Sequence, residues 1–293
     1  MASIAFHIMI RVARWRRSRF AANLTQFATP IDGVVREVPA TLLAFCGRRD
    51  LPEQVASWRS FQRWVGRPRR AVLVSDGTLE EADFKLLRAL EPRIEIKSIE
   101  QFGGPTATES MRCYAAAQPM GRKLFVMRAL DSLAPVIYAD SDILYFPAAA
   151  ELSEPRFWDA AAPSYLLDPY PSLDLRLVPG EGERLSPVNG GFVVVRRALE
   201  WAEPVRRLEA LSGEPAFFSE QTLLHLAIRL SAGIPLDPAR YVLRNEDQWA
   251  ATDWFAGREV VLRHYISSLR HKMWLRVRSG GSRNSQYGQG TTA

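Results

Sequence analysis

Two acidic residues stand at alternate positions where an apolar segment ends: Asp140 and Asp142 follow the run Val136-Ile-Tyr-Ala139. Carboxylates this close repel each other unless a cation or a shared proton relieves the repulsion. A hard divalent ion does so well, and it can also bind phosphate oxygens. The same triplet could instead be a polar turn that ends the strand. Because it follows a wholly apolar segment, its position favours a metal and phosphate site.

A histidine near the C terminus could complete such a site. His264 lies in the apolar segment 260–265, and a neutral imidazole there could be the third ligand beside the two carboxylates. Mixed carboxylate and imidazole ligation favours Mn²⁺ over Mg²⁺. The alternative is a histidine that is hydrogen-bonded within the core.

Three further groups suit contact with a sugar or a phosphate. Lys123 could meet sugar hydroxyls or phosphate, or it could be a solvated residue at the start of a helix. The segment Asn189-Gly190-Gly191 would let the backbone approach a sugar closely, although it also suits a turn that leads into a strand. Glu220 and Gln221 begin a predicted helix, where interaction with the helix dipole accounts for Glu220 as well as catalysis does.

The elements that must position these residues alternate between strands and helices. Asp50 and Glu53 are predicted to cap one helix, and Thr78 and Glu81 the next. Strands separated by helices predict an α/β fold with a mostly parallel central sheet flanked by helices, whose ligands lie beyond the carboxyl ends of the strands. The predicted strands are 40–46, 70–75, 94–99, 136–139, 192–196 and 260–265; the predicted helices are about 51–65, 78–90, 109–133, 197–211 and 220–230; segment 162–188 is predicted to be a long ordered loop.

In their order along the chain, these motifs resemble those of the nucleotide-sugar glycosyltransferases of the GT-A fold, in particular the glycogenin and bacterial lipopolysaccharide galactosyltransferase group. The segment Asp140-Ser141-Asp142 resembles the group's metal-binding Asp-x-Asp motif, and Lys123-Leu124 stands 17 residues upstream, as in the group. Downstream come Asn189-Gly190-Gly191, then Glu220-Gln221 with Glu in place of the usual Asp, then His264. The resemblance spans roughly residues 38–275.

The last motif of the group matches only in part. Ser267 stands where the group has Gly and Arg270 where it has Lys, and two extra residues precede Trp274. The resemblance therefore leaves either Arg270 or Lys272 as the cation that contacts the diphosphate.

The resemblance implies a metal-dependent glycosyltransferase that moves a sugar from a nucleotide donor, a UDP-sugar, to an unidentified acceptor with retention of configuration. It implies an Mn²⁺ or Mg²⁺ ion on Asp140, Asp142 and His264, and a catalytic group of Asn189, Glu220 and Gln221. Residues 38–150 would form the half that binds the nucleotide sugar, and residues 151–275 a smaller acceptor-side half of the same domain. The implied donor-binding residues are Phe45, Cys46 and Gly47 at the end of the first strand, then Lys123, Asp140, Ser141, Gly190 and Gly191, and Arg270 or Lys272. Cys46 could equally be a plain buried thiol.

Composition excludes several other classes of protein. The chain has 293 residues, of which 47% are hydrophobic and 24% charged, as is typical of a globular protein. Two cysteines make no disulfide scaffold and favour a reducing, cytoplasmic compartment. No apolar run approaches the ~18 residues of a membrane-spanning helix.

The formal charge of +6 is concentrated at the two ends of the chain. Residues 1–20 and 270–293 hold ten Arg and Lys and no acid, so the rest of the chain carries a net charge of −4. A nucleic-acid partner is therefore not expected. The basic arm, residues 1–37, could pack on the domain, be disordered, or make weak contact through residues 1–20 with the anionic inner face of a membrane. The polar residues 276–293 are predicted to be a disordered tail.

Other enzyme classes fit less well. Ser75-Asp76-Gly77 resembles the haloacid dehalogenase phosphatase motif, but Val74 stands where that motif has its other Asp. A dinucleotide fingerprint needs Gly-x-Gly-x-x-Gly, and only Gly47 follows the first strand. A nucleotidyltransferase would need a Gly-rich basic loop at the same place. The alternative kept open is a non-catalytic domain of the same fold that binds a sugar nucleotide or a partner, which the altered last motif favours.

Overall fold

Ten strands form two sheets in the computed structural model, which describes residues 4–277 apart from 32, 35, 104–106 and 171. The strands are β1 Glu37–Cys46, β2 Arg67–Ser75, β3 Ile94–Ser98, β4 Val136–Ala139, β5 Ile143–Tyr145, β6 Ser164–Leu167, β7 Val188–Val195, β8 Ile234–Pro235, β9 Tyr241–Val242 and β10 Leu262–His264. The helices are α1 Ile4–Ala22, α2 Leu24–Phe27, α3 Leu51–Trp64, α4 Glu81–Leu90, α5 Ile99–Gly103, α6 Glu109–Ala117, α7 Pro119–Arg128, α8 Leu130–Leu133, α9 Pro155–Trp158, α10 Ala202–Glu209, α11 Ser219–Leu230 and α12 Arg270–Arg276. Short 3₁₀ turns cover 48–50, 147–153, 181–184 and 267–269.

The larger sheet has the strand order β3-β2-β1-β4-β7-β6-β8. Strands β3, β2, β1 and β4 run parallel, whereas β7 is antiparallel to both β4 and β6. The smaller sheet has the order β5-β10-β9. The predicted fold class, α/β with a mostly parallel central sheet flanked by helices, is confirmed.

Both faces of the larger sheet are covered by apolar side chains. Along β1, Leu42, Ala44 and Cys46 point into one core, and Leu43 points into the other. This alternation follows from the two-residue period of a strand. Helices α1, α3, α4 and α12 contribute to the first core, and α6, α7, α10 and α11 to the second. Burial on both faces explains why β1 and β4 are almost continuous apolar runs.

The helix predicted over 109–133 is instead three helices, α6, α7 and α8. Pro119 is the reason for the first break, because the residue before a proline avoids helical geometry. Gln118 is accordingly extended, with φ −143° and ψ 144°, and Pro119 begins α7.

Two predicted helix caps are wrong. Asp50 precedes α3 but makes no capping hydrogen bond, and its carboxylate pairs with Arg270 instead. The cap of α4 is formed by Glu80 and Asp83 rather than by Thr78 and Glu81.

Helix α1 of the N-terminal arm packs against α12, the last helix that the structure describes. Of the alternatives expected for residues 1–37, packing on the domain is the one seen at 4–22. No helix in the described part of the chain is both long and apolar enough to cross a membrane. The predicted tail, 276–293, lies outside the described residues except for Arg276 and Val277.

Candidate active site

The two carboxylates predicted to bind a metal lie in the turn that joins β4 of the larger sheet to β5 of the smaller one. The backbone holds this turn at both ends. The Asp140 amide donates to Gly191 O at 2.8 Å, and the Tyr265 amide donates to Asp142 O at 2.8 Å. Gly191 within β7 and Tyr265 just after β10 therefore fix the positions of both aspartates.

His264 brings the third candidate ligand to the same place. Its Nε2 lies 3.0 Å from Asp142 Oδ1 and 3.9 Å from Asp140 Oδ2. One ligand atom from each of the three residues lies within 4.8 Å of the others. Such a group of two carboxylates and one imidazole suits a divalent cation.

Asn189 sets the orientation of the imidazole. Its Oδ1 accepts a hydrogen bond from the Gly191 amide at 2.9 Å and lies 3.1 Å from His264 Nδ1. Because that oxygen is an acceptor, the proton of the neutral imidazole belongs on Nδ1. In this neutral form the lone pair of Nε2 points toward the carboxylates, as metal ligation requires. Without an ion, Asp142 favours the protonated imidazole.

Lys123 is paired with Asp140. The Lys123 ammonium, on the buried side of α7, donates to both Asp140 carboxylate oxygens at 2.9 and 3.1 Å. The Tyr138 hydroxyl donates to Asp140 Oδ1 at 2.6 Å. Burial lowers the pKa of Lys123, but the nearby carboxylates of Asp140 and Glu220 more than offset this effect, so its pKa is raised and the ammonium stays charged.

Arg270 is paired with Asp142. Its Nε donates to Asp142 Oδ2 at 3.0 Å, and another guanidinium nitrogen donates to Asp50 Oδ1 at 2.8 Å. Burial raises the pKa of Asp142, but His264 and Arg270 outweigh burial and lower it to about 2. Burial likewise lowers the pKa of His264, and Asp142 reverses the direction, so that pKa is raised. Asp142 is thus a carboxylate at neutral pH.

A cavity of about 710 Å³ adjoins Arg270. Its walls come from α1, from the segment after β1 that includes Arg49 and Asp50, and from residues 267–274. Arg270 lies in the wall and also contacts Asp142, so the cavity meets the carboxylate cluster at this side chain.

Glu220 and Gln221 lie at the start of α11, facing β7. The Gly190 amide donates to Gln221 Oε1 at 3.0 Å, and Gln221 Nε2 donates to Asp168 Oδ2 at 3.1 Å. Glu220 is buried, and its Oε1 has no hydrogen-bond partner among the described residues. Burial raises the pKa of Glu220 to about 7, since the nearby Lys123 only partly opposes the effect. Glu220 is therefore half protonated near neutral pH.

The end of β1 presents backbone rather than reactive side chains. The Cys46 thiol is buried in the core, and burial raises its pKa well above the usual value, so it is a plain buried thiol. Gly47 lies against the Asp76 side chain, and a β-carbon at position 47 would stand 2.0 Å from Asp76 Oδ2. Phe45 is half-buried and packs on the second core. Ser141 is buried in the turn between the two aspartates.

Lys272, one of the two alternatives for the cation at the diphosphate, lies in a different environment from Arg270. The Lys272 ammonium is buried and donates to Ala250 O at 2.9 Å and Thr252 O at 2.7 Å, with Asp247 at 3.5 Å. These bonds hold the loop that precedes β10. Of the two cations left open by the sequence, only Arg270 lies at the carboxylate cluster.

Three residues of this region were not predicted from the sequence. Tyr138 could have been found, because it lies two residues before Asp140 on the same face of the strand. Asp168 accepts a hydrogen bond from Gln221. It lies in the segment predicted to be a loop, and no motif in that segment indicates a role for it. Asp50 is predicted as a helix cap, and its pairing with Arg270 depends on chain segments that are distant in sequence.

No family model matches the sequence, and no curated protein matches it. Among solved structures, the chain is similar to mouse xyloside xylosyltransferase 1 in its apo form, with 15% identity and a TM-score of 0.52 over 79% of this chain and 99% of that one. It is also similar to the galactosyltransferase LgtC in complex with donor and acceptor sugar analogues, with 14% identity and a TM-score of 0.52 over 80% and 94% of the two chains. The apo form of the glycosyltransferase GlyE from Streptococcus pneumoniae TIGR4 has 16% identity and a TM-score of 0.50 over 81% of this chain and 60% of that one.

These similarities show the fold of the chain. It is the GT-A fold, as the order of the sequence motifs predicted. At this level of sequence identity, a shared fold does not establish a shared activity, because the activity depends on the residues of the site.

Proposed function

We propose that the protein is a metal-dependent glycosyltransferase that moves a sugar from a nucleotide donor, a UDP-sugar, to an acceptor. The observation that carries this proposal is the convergence of Asp140, Asp142 and His264 within 4.8 Å at the ends of β4 and β10. Lys123 and Arg270 flank the same group and could meet phosphate oxygens. Acidic ligands with flanking cations are what a metal-bound diphosphate needs.

The residues present fit a divalent ion. Asp140 and Asp142 would supply oxygen ligands and His264 its Nε2, with Asn189 holding the imidazole from the other side. This mixed set favours Mn²⁺, with Mg²⁺ as the alternative. When bound, such an ion supplies positive charge that stabilises the diphosphate leaving group.

The chain's own side chains have separate tasks in this proposal. Arg270 adds a second positive charge for the diphosphate, from the side of the cavity. Lys123 holds Asp140 in place and contacts donor hydroxyls or phosphate. Gly190 has no side chain, which lets the donor sugar approach β7, and the space beside Gly191 is taken by the His264 imidazole. The backbone of residues 45–47 would contact the nucleotide base of the donor.

Glu220 and Gln221 are assigned to the reacting carbon, together with Asn189. A β-carbon placed on Gly190 would lie 3.6 Å from Glu220 Oε1 and 3.7 Å from Gln221 Oε1, so both oxygens face the same point of β7. Retention of configuration is part of this proposal because the resemblance of the motifs implies it. Residues 38–150 then form the donor half and residues 151–275 the acceptor side.

One observation favours a second function, a non-catalytic domain that binds a sugar nucleotide. Both carboxylates are already paired with cations of the chain, Asp140 with Lys123 and Asp142 with Arg270 and His264. Because side chains of the chain already neutralise both negative charges, the site could bind a nucleotide without a metal ion and without catalysing transfer.

Thermal unfolding with UDP, with and without Mn²⁺, separates these proposals when it is combined with hydrolysis of a panel of nucleotide sugars. A ligand at 100 times its dissociation constant adds about 2.7 kcal/mol to the free energy of unfolding. The enzyme is expected to show a UDP shift that needs Mn²⁺ and slow Mn²⁺-dependent hydrolysis of one UDP-sugar. A UDP shift that survives EDTA, without hydrolysis of any donor, would favour the binding domain.

Asp142→Asn tests the assignment of the site. We expect the variant to lose both the Mn²⁺ shift and hydrolysis, whereas Asp159→Asn, which removes the same charge from an exposed position, keeps both. If Asp142→Asn keeps the metal-dependent shift, the cluster is not the metal site.

A further inference from the structure

Helix α1 is fixed to the domain along one side. Phe20 stacks on Phe27 at 4.4 Å between ring centroids and contacts Trp274 at 5.3 Å. At the other end of the helix, Phe6 contacts Trp249 at 4.5 Å. Arg16 donates to Leu275 O at 2.6 Å. These ring contacts at both ends of the helix, together with the Arg16 hydrogen bond, determine which side of α1 faces outward.

The outward side of α1 carries a row of large apolar side chains. Ile4, Ile8, Val12 and Trp15 are 81, 57, 37 and 56% exposed. Spacings of four, four and three residues place them on one stripe of a helix, which extends over about 16 Å. Single exposed apolar residues are ordinary, but a continuous row on a docked helix marks an interaction surface. Helix α1 thus has two apolar sides, and the rest of the chain covers only one of them within residues 4–277 as the structure describes them.

Positive charge borders this row. Arg11 and Arg19 are exposed, and within the described residues no carboxylate pairs with them. The Arg19 guanidinium carbon lies 5.4 Å from the centre of the Trp15 ring. Residues 1–31 contain no Asp or Glu, so nothing in this segment neutralises these side chains.

We propose that α1 is an interfacial anchor that lies along an anionic membrane surface, with Ile4, Ile8, Val12 and Trp15 inserted at the boundary between headgroups and acyl chains. An apolar stripe bordered by arginines is complementary to such a surface, because the apolar side chains leave water while the guanidinium groups meet lipid phosphates. Tryptophan and arginine are suited to this depth, because both combine an apolar body with a polar end. The proposal concerns the outward side of α1 and does not depend on sugar transfer.

Flotation of the full chain with lipid vesicles tests the anchor. We expect binding to vesicles of phosphatidylcholine mixed with phosphatidylglycerol, weaker binding to pure phosphatidylcholine, and a decrease with added salt as the charges are screened. The double variant Ile8→Gln, Trp15→Gln should bind the mixed vesicles about tenfold more weakly. Arg11→Gln with Arg19→Gln should remove the preference for the anionic lipid.

The matched control is Leu185→Gln with Trp254→Gln, which removes one aliphatic and one indole side chain that are 65 and 62% exposed elsewhere. It should bind vesicles like the unmodified chain. All substituted side chains are exposed, so thermal unfolding should report folded proteins. The proposal is overturned if the chain binds neither type of vesicle, or if the α1 pair and the control pair bind equally. It is also overturned if light scattering shows a dimer that the α1 pair dissociates, because the stripe then faces a second copy.

Discussion

Gly191 lies directly against the imidazole of His264. A β-carbon at position 191 would stand 2.2 Å from His264 Cε1, 2.6 Å from its Nδ1 and 2.8 Å from Asn189 Oδ1. Atoms cannot approach this closely, so the absence of a side chain at 191 is a condition for the position of the histidine. At Gly190, one residue earlier, the same β-carbon would find its neighbours at 3.6 and 3.7 Å, which is ordinary contact.

Gly191→Ala should therefore weaken Mn²⁺ binding by about 100-fold, because the histidine and the asparagine that orients it must move. Gly190→Ala should bind Mn²⁺ like the unmodified chain and serves as the matched control. Isothermal titration calorimetry of the two variants measures the difference. Equal affinities would show that His264 is not a ligand.

Glu220 should make the free energy of unfolding depend on pH. In the folded chain its pKa is about 7, against an ordinary value of 4.5, because the carboxyl group is buried. The folded state thus retains a proton that the unfolded state releases, and this contribution to stability is lost as pH rises from 4.5 to 7. The expected loss is about 3 kcal/mol.

Urea unfolding in EDTA, compared between the unmodified chain and Glu220→Gln, isolates this contribution because the amide does not titrate. The variant should gain in relative stability as pH rises through that window and show no further gain above pH 7. Glu209→Gln, at an exposed position, controls for the loss of one negative charge. A constant difference at every pH would show that the carboxyl group is not held in its buried environment.

Arg270 and Lys272 should differ in what their loss affects. Lys272→Met removes the donor to Ala250 O and Thr252 O and leaves Asp247 with one charged partner fewer, which should cost about 3 kcal/mol of stability. The shift that UDP and Mn²⁺ produce should persist in that variant. Arg270→Met should reduce the UDP shift instead. If thermal unfolding instead shows that Lys272→Met loses the UDP shift and Arg270→Met keeps it, Lys272 is the cation that contacts the diphosphate.

Arg17 should stabilise the docked position of α1. It donates to both carboxylate oxygens of Glu53, at 2.6 and 2.9 Å, and Glu53 is buried. In Arg17→Met, the buried Glu53 carboxylate would keep the hydrogen bond from Trp274 Nε1 but lose its charged partner. The variant's free energy of unfolding, measured with a chemical denaturant, should be lower by about 2 kcal/mol. The exposed Arg19→Met is the comparison. If both variants unfold at the same denaturant concentration, the Arg17 pair contributes nothing to docking.

The buried parallel strands were predictable from the sequence, and the short strands were not. Strand β4 begins and ends where its apolar run does, because a strand covered on both faces has to be apolar throughout. Strands β8 and β9 have two residues each, and both residues of β8 are exposed. Their pairing depends on neighbours that are distant in sequence, and so local pattern does not reveal them.

Much of the candidate site could also be inferred, because its residues follow strands whose ends meet in space. Asp140 follows β4, Asn189 lies at the start of β7 and His264 ends β10, and the structure brings all three together. Spacing could not distinguish Arg270 from Lys272, since both lie on the short helix α12. Tertiary packing directs the Arg270 side chain to Asp142 and the Lys272 side chain to the loop before β10. The pairing of Lys123 with Asp140 was likewise not readable from spacing alone.

The turn at 140–142 connects the two sheets, and this has a mechanical consequence. Asp140 is tied to the larger sheet through Gly191, whereas Asp142 and His264 belong to the part of the chain that forms the smaller one. A cation shared by these side chains would act as a cross-link between the sheets. Removal of the ion would then take away one of the connections between the sheets, beside the one that Asn189 makes to His264.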